Sequence, residues 1–187
     1  PHVAVFDTAF HHSMPDYAYT YGLPHELCDR LGLRRYGFHG TSHRYVAERT
    51  AALLGKPLEA VKIITCHLGN GSSVTAVCNG KSVDTSMGLT PLEGLIMGTR
   101  CGTIDPATVC YLQRVGGYSV DEVDTMMNKQ SGLLALSGVS SDSRDIELGA
   151  DDGDRNCRMA LDMFYYRTSQ LAMEMAQAMH GFDTMAF

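Results

Sequence analysis

The sequence predicts an α/β domain built on a mixed β-sheet flanked by helices. Three observations carry that expectation. Short, β-branched apolar runs alternate with longer helical patterns. Two of those runs are joined by Asn79-Gly80, the favoured two-residue hairpin turn, because both central residues need positive φ. The 187 residues are 44% hydrophobic and 19% charged, which suits a sizeable packed core and argues against disorder.

The elements follow in order. "HVAVFD" is a short apolar run closed by an acid and reads as a buried strand. Residues 11–37 read as irregular, with Pro15, Pro24 and several tyrosines. Thr41 or Ser42 is placed to cap a helix running to Leu54, stopped by Gly55 with Pro57 beyond. "VKIITCHL" is a strand, and "SSVTAVCNGKSVDTSM" is two strands around Asn79-Gly80. Asp105-Pro106 opens a helix that Gly116-Gly117 closes. Ser119-Val120-Asp121-Glu122 is a capping box for another helix ending near Gly132. Residues 137–153 read as a Ser/Asp/Gly loop. A long helix from about Asp154 to His180 presents Met159, Met163, Leu171 and Met175 on its apolar side, with Gly181 as its stop. The chain starts without Met in a strand pattern and stops at "GFDTMAF", where an apolar run has just begun, so an excerpt from a longer protein is expected.

Composition narrows the function. The formal net charge is −6 with a pI near 5.7, and no Lys/Arg run supplies a nucleic-acid face. A local basic pocket for a small anion stays open. No apolar run is long enough to cross a bilayer, and no signal peptide is expected. The six cysteines contain no C-x-x-C pair and read as reduced, cytoplasmic core fillers.

Two glycine turns compete for a phosphate. Asn79-Gly80-Lys81-Ser82 imitates the tail of a Walker A loop, but Thr75 stands where that loop needs its first glycine. The segment after it reads as strand, whereas a P-loop must feed a helix, so this turn reverses a hairpin. Gly69-Asn70-Gly71 lets backbone approach a ligand and aim N–H groups at an anion, with Ser72 and Ser73 adding hydroxyls. An ordinary tight hairpin fits the same residues.

Other candidates also carry two readings. Asp7 ends an apolar run and suits either a ligand-facing carboxylate or a turn cap. His39 precedes a helix start and could donate to developing negative charge. His39 and His43 lie four apart, and His11 and His12 are adjacent, but no third metal ligand is evident. Arg100 sits between Gly98 and Gly102, placed either for bidentate contact with a phosphoryl group or for a surface ion pair. Asp142 and Arg144 lie in the polar stretch "SSDSRD" and suit either a nucleotide or solvent.

Their order is more telling than any one of them. "VFDTAFH", "RYGFHGTSH", "HLGNGSS" and "DTSMGLTPLEGLIMGTRCGTIDP" occur in that succession across the chain. The pattern closely resembles the acetate kinase family, within the acetate and sugar kinase/Hsp70/actin superfamily. The resemblance implies a ribonuclease H-like, actin-like ATPase fold, incomplete here, with residues 1–187 forming most of the second, nucleotide-side domain. It implies transfer of the ATP γ-phosphoryl group to acetate, with Mg²⁺, in a cytoplasmic homodimer. It gives Asp7, His39 and Arg100 as catalytic residues. It gives His67, Leu68, Gly69, Asn70 and Gly71, with Asp142, Ser143 and Arg144, as ATP contacts, and Phe38 and Pro91 as walls of the acetate pocket. The Mg²⁺ ligands, the first domain and the C-terminal segment would lie outside this chain.

There are departures: Cys101 and Thr103 stand where "TRSGDIDP" is expected, and Ser143 replaces an expected aromatic. Propionate or butyrate kinase fits the same motifs, since one methylene is worth only about 1–3 kcal/mol in a pocket. An actin-like ATP-binding switch also shares the fold.

Overall fold

A computed structural model describes residues 1–187 and shows α/β architecture with a four-stranded mixed sheet. The strands are β1 (Lys62–Leu68), β2 (Ser72–Cys78), β3 (Lys81–Thr85) and β4 (Thr184–Ala186), in the order β3-β2-β1-β4. The chain divides into two compact units. The first comprises Pro1–Leu68, Ser73–Glu93 and Ser169–Phe187, and the second comprises Gly69–Ser72 and Gly94–Thr168.

The first unit holds most of the sheet. Asn79 and Gly80 both have positive φ (52° and 79°), as the type I′ hairpin turn between β2 and β3 requires. β4 runs parallel to β1, pairing Ile63 with Thr184 and Thr65 with Ala186. Thr184–Ala186 of "GFDTMAF" is therefore sheet, as its apolar run suggests. Helix α3 (Gly40–Leu53) turns Ala47 and Ala51, one helical turn apart, toward Val61, Ile63 and Val77, with Phe10, Leu58 and Ala186 packed around them. Small alanines allow the helix backbone close to the sheet. Burial of each Ile or Val there contributes about 1.5–3 kcal/mol.

Three expectations in this unit fail. "HVAVFD" is not a strand; Val3, Val5 and Phe6 are 70–83% exposed, and no strand of the sheet pairs with them. Apolar patterning needs a ladder partner to become a strand. Residues 11–37 are not irregular throughout. They contain α1 (Asp16–Tyr19) and α2 (His25–Leu31), the latter entered at Pro24 and closed by left-handed Gly32. Neither Thr41 nor Ser42 caps α3; its cap position is His39.

The second unit is helical. α4 (Ala107–Arg114) starts where Asp105 Oδ1 accepts from Ala107 N at 2.9 Å. α5 (Val120–Lys129) starts with the full capping box, Ser119 and Glu122 each accepting the other's backbone N–H. It ends three residues before Gly132, which instead opens α6 (Gly132–Ser137). The expected loop at 137–153 is mostly α7 (Ser143–Asp151), capped by Asp142, with Ile146 and Ala150 four apart on its buried side. Polar composition concealed that short amphipathic helix. The long helix α8 (Arg155–Ala178) begins where Asp154 Oδ1 accepts from Asn156 and Cys157. Its first half buries Cys157, Ala160 and Leu161 against Ile96, Leu133, Ile146 and Ala150. Met159 is exposed, so the buried stripe is set by Cys157 and Ala160 rather than by that methionine.

Ser119→Ala removes the side-chain half of the capping box. It should cost about 1 kcal/mol and lower Tm by about 3 °C. Differential scanning calorimetry checks this, and an unchanged Tm would contradict the cap.

Candidate active site

In the first unit, the stretch Gly37-Phe38-His39-Gly40 turns sharply before α3. Gly37 has φ 75°, and a Cβ there would sit 2.5 Å from Thr85 Cγ2 and 2.7 Å from His11 Cδ2. His39 itself is left-handed, with φ 56° and ψ 24°. That conformation costs a non-glycine residue roughly 1 kcal/mol, so something must hold it. Asp7 does: its Oδ2 accepts from His39 N at 2.7 Å, and its carbonyl accepts from Gly40 N at 2.8 Å. A Cβ on Gly40 would collide with that carbonyl oxygen. Asp7 thus acts as the turn cap, while remaining an exposed carboxylate.

Behind this turn four histidines lie close together. The His39 and His67 rings stack with centroids 4.0 Å apart and planes 22° apart. His67 Nδ1 is 2.9 Å from Ser42 Oγ. His39 Nδ1 is 2.9 Å from Ser73 Oγ, and the same Ser73 oxygen is 2.7 Å from His43 Nε2. His43 Nδ1 is in turn 2.7 Å from Thr65 Oγ1. His11 Nε2 donates to the Phe38 carbonyl at 2.8 Å, and its Nδ1 meets Ser82 Oγ at 2.9 Å. His11 and His43 are completely buried. Burial lowers the pKa of both, His43 further because His11, His39 and His67 surround it. Both therefore stand neutral at physiological pH. With Nε2 committed as donor, neutral His11 accepts the Ser82 proton at Nδ1.

In the second unit, the Gly69-Asn70-Gly71 turn is tied to the Arg100 loop through backbone. Gly98 N donates to the Asn70 carbonyl at 3.1 Å, and a Cβ on Gly98 would strike the Asn70 side chain. Met97 N donates to the Arg100 carbonyl at 3.1 Å, closing the loop. The start of α6 locks onto it: Leu133 N donates to Met97 O, Leu134 N to Gly98 O, and Ser131 N to Thr99 O. Gly132 has φ 66°, and a Cβ there would meet the Met97 and Arg100 carbonyls. Arg100 is partly buried on this loop, with its Nη1 3.8 Å from Met97 Sδ. At the N-terminus of α7, Arg144 Nη2 pairs with Asp142 Oδ2 at 2.6 Å in an exposed ion pair. The Arg144 bond pulls the Asp142 carboxyl down to about 2. Ser143 is exposed beside them.

The structure thus joins Asp7 and His39, stacks His67 on His39, and joins Asn70 to the Arg100 loop. Asp142, Ser143 and Arg144 form a cluster of their own. Phe38 is half-buried and contributes its carbonyl to His11, and Pro91 is also half-buried. Leu68 ends β1. The Walker-like Lys81 and Ser82 open β3, with Ser82 buried against His11. Sequence reasoning missed Ser73, His43 and Thr65 as a linked set. His39 and His43, and the adjacent His11 and His12, lacked a third metal ligand in the sequence, and all four ring nitrogens of His11 and His43 are hydrogen-bonded to protein oxygens. No cluster of three His, Cys, Asp or Glu side chains is arranged to hold a metal. Asp7 is a single carboxylate already accepting a backbone N–H, so this chain's residues do not by themselves fit a Mg²⁺ site.

Comparisons with known proteins agree with one another. The model of the acetokinase family matches residues 1–187. The chain is 57% identical to the acetate kinase of Methanosarcina thermophila over all 187 residues, 46% of that protein. It is 58% identical to the acetate kinase of Heliobacterium modesticaldum, again over the whole chain and 47% of the relative. The crystal structure of Porphyromonas gingivalis acetate kinase superposes with TM-score 0.96 at 46% identity, covering 98% of this chain and 46% of that one. A propionate kinase from Francisella tularensis gives TM-score 0.94 at 45% identity, covering 98% of this chain and 47% of that one. The chain spans about half the length of the curated relatives it matches.

The neutral histidines make stability depend on acid. His11 and His43 have folded pKa values below the unfolded value, so their contribution is complete above about pH 6.5 and is lost as pH falls toward the folded values. Across that window the unfolded chain binds the extra protons, and stability should fall by at most about 1.4 kcal/mol per pH unit per histidine. Thermal melts between about pH 7.5 and 5.5 check this, with a shallower slope expected for His11→Gln. A melting temperature independent of pH over that range would contradict the assignment.

Proposed function

The chain belongs to the acetokinase family, and from that premise we propose that the protein transfers the γ-phosphoryl group of ATP reversibly to the carboxylate of acetate, giving acetyl phosphate and ADP. The observation that carries the reading is identity of 57–58% to acetate kinases along every residue of the chain. These 187 residues form most of the nucleotide-side domain of that enzyme, which works as a cytoplasmic homodimer. No helix is long and apolar enough to cross a membrane, and all six cysteines are free thiols.

Phosphoryl transfer to a carboxylate asks for positioning and for positive charge around the equatorial oxygens rather than for covalent catalysis. Arg100 supplies a planar, permanently charged fork on a loop held by backbone bonds. His39 supplies a ring nitrogen from a turn held by Asp7. Asp7 keeps that turn formed and lends a carboxylate beside it. The Gly69-Asn70-Gly71 turn, closed by Gly69 N donating to the Gly71 carbonyl at 3.2 Å, and the polar start of α7 at Asp142, Ser143 and Arg144 are contacts for ATP. His67 and Leu68 lead into that turn, and Phe38 and Pro91 wall the acetate methyl. Mg²⁺ would neutralise phosphate charge in such a reaction, but its ligands are not assembled by these residues, and no step here is assigned to it.

A propionate kinase is the second reading, favoured by the near-equal likeness to the Francisella tularensis structure. The ratio of kcat/KM for acetate and propionate separates the two. An actin-like switch would bind ATP without phosphorylating a short carboxylate.

Two experiments test the proposal. In the full-length kinase, Arg100→Ala should lower kcat for acetate phosphorylation about 10²–10³-fold with an unchanged melting curve. A small effect would favour the switch. The 187-residue chain alone should show no turnover, and turnover comparable with the full-length kinase would contradict the assignment of missing site elements to other segments.

A further inference from the structure

The hydroxyl of Ser73 lies between two imidazoles, 2.9 Å from His39 Nδ1 and 2.7 Å from His43 Nε2. It has one proton, so it donates to one ring and accepts from the other. The direction is set at the far end. Thr65 Oγ1 donates to the Thr75 carbonyl at 3.5 Å, and Thr65 Oγ1 also sits 2.7 Å from His43 Nδ1. When the Thr65 proton turns to that carbonyl, over a long 3.5 Å contact, His43 Nδ1 is the donor to Thr65. Neutral His43 then has its lone pair on Nε2, Ser73 donates to it, and His39 Nδ1–H donates to Ser73.

The opposite sense is poorer on two counts. It turns the Thr65 proton onto His43 and gives up the bond to Thr75. It also aims the Ser73 proton at His39 Nδ1, which an imidazolium cannot accept. The first sense adds the long bond to Thr75 and leaves His39 Nδ1 a donor, as a charged His39 requires. Burial holds His43 neutral, so one of its ring nitrogens is an acceptor, and in the first sense that nitrogen is the one facing Ser73.

We propose that Ser73 and His43 are positioning residues that hold His39 as its Nδ1–H tautomer, so that Nε2 is the atom that exchanges the proton when His39 meets the transferring phosphoryl group. The role rests on the phosphoryl-transfer reading above; the tautomer itself does not. Other titratable groups facing His39 are Asp7, which accepts from its backbone N–H, and His67, stacked on its ring, while His11 packs on His43 at 5.8 Å between centroids.

The test uses the full-length kinase. Long-range ¹H–¹⁵N spectra of histidine-labelled, unmodified protein should show neutral His39 and His43 both as Nδ1–H tautomers. Neutral His39 found as Nε2–H would overturn the proposal, whatever the protein phosphorylates. Kinetics test the consequence. Ser73→Ala and His43→Phe should lower kcat about tenfold or more, with KM for acetate and for ATP changed by no more than about twofold. His43→Gln, whose amide oxygen can take the Ser73 proton, should recover most of that loss. Parent-like kcat in both Ser73→Ala and His43→Phe, or His43→Gln as slow as His43→Phe, would overturn it. If His43→Phe does not fold, Ser73→Ala and the spectrum of the unmodified protein still decide. Absence of acetate phosphorylation in the parent would overturn the functional reading, and the spectrum would still decide the tautomer.

Discussion

The hydrogen bond from Gly98 N to the Asn70 carbonyl is the constraint on which the second unit's functional surface depends. It places the Gly69–Gly71 turn against the loop that carries Arg100. A Cβ at residue 98 would strike the Asn70 side chain and push it aside. The same loop is gripped from its other side by α6, whose first N–H groups donate to Met97 O and Gly98 O. These would otherwise be orphan donors at a helix start. Gly132 is left-handed there, where a Cβ would meet two loop carbonyls. The loop that carries Arg100 is thus held by backbone hydrogen bonds, which suits a group proposed to meet charge on a ligand.

The first unit reaches rigidity by another route. Its buried polar atoms are all satisfied, and they are arranged as relays of Ser, Thr and neutral His between α3 and the sheet. His11 joins the Phe38 carbonyl to Ser82, bracing the turn that leads into His39. Asp7 holds the left-handed residue from the outside. A polar interior of this kind is costly if half-satisfied and specific when complete. Its histidines are structural because they are uncharged, and the one proposed for catalysis is the one at the edge of the network.

Much of this was legible in the sequence, for identifiable reasons. Asn79-Gly80 fixed a hairpin because its φ requirement is local. Ser119 and Glu122 fixed a helix start because both bonds are local. Asp7 was readable both as a cap and as a ligand-facing carboxylate, and the structure shows the cap. What stayed hidden depended on distant partners. "HVAVFD" has a strand's pattern, but no strand of the sheet pairs with it. α7 was hidden because its two buried residues, Ile146 and Ala150, sit among polar ones. The pairing of His39 with His43 through Ser73 spans 34 residues and leaves no local trace. A serine just after a glycine-rich turn gives no sign that it will sit between two imidazoles.

The central claim is that the Gly69–Gly71 turn, and not the Walker-like Asn79–Ser82, receives the nucleotide phosphates. Backbone amide ¹H–¹⁵N shifts of the full-length kinase titrated with ADP test it most directly. The amides of Gly69, Asn70, Gly71 and Gly98 should move together on saturation while those of Asn79 to Ser82 stay in place. Movement at Asn79–Ser82 with a stationary Gly69–Gly71 turn would contradict the account.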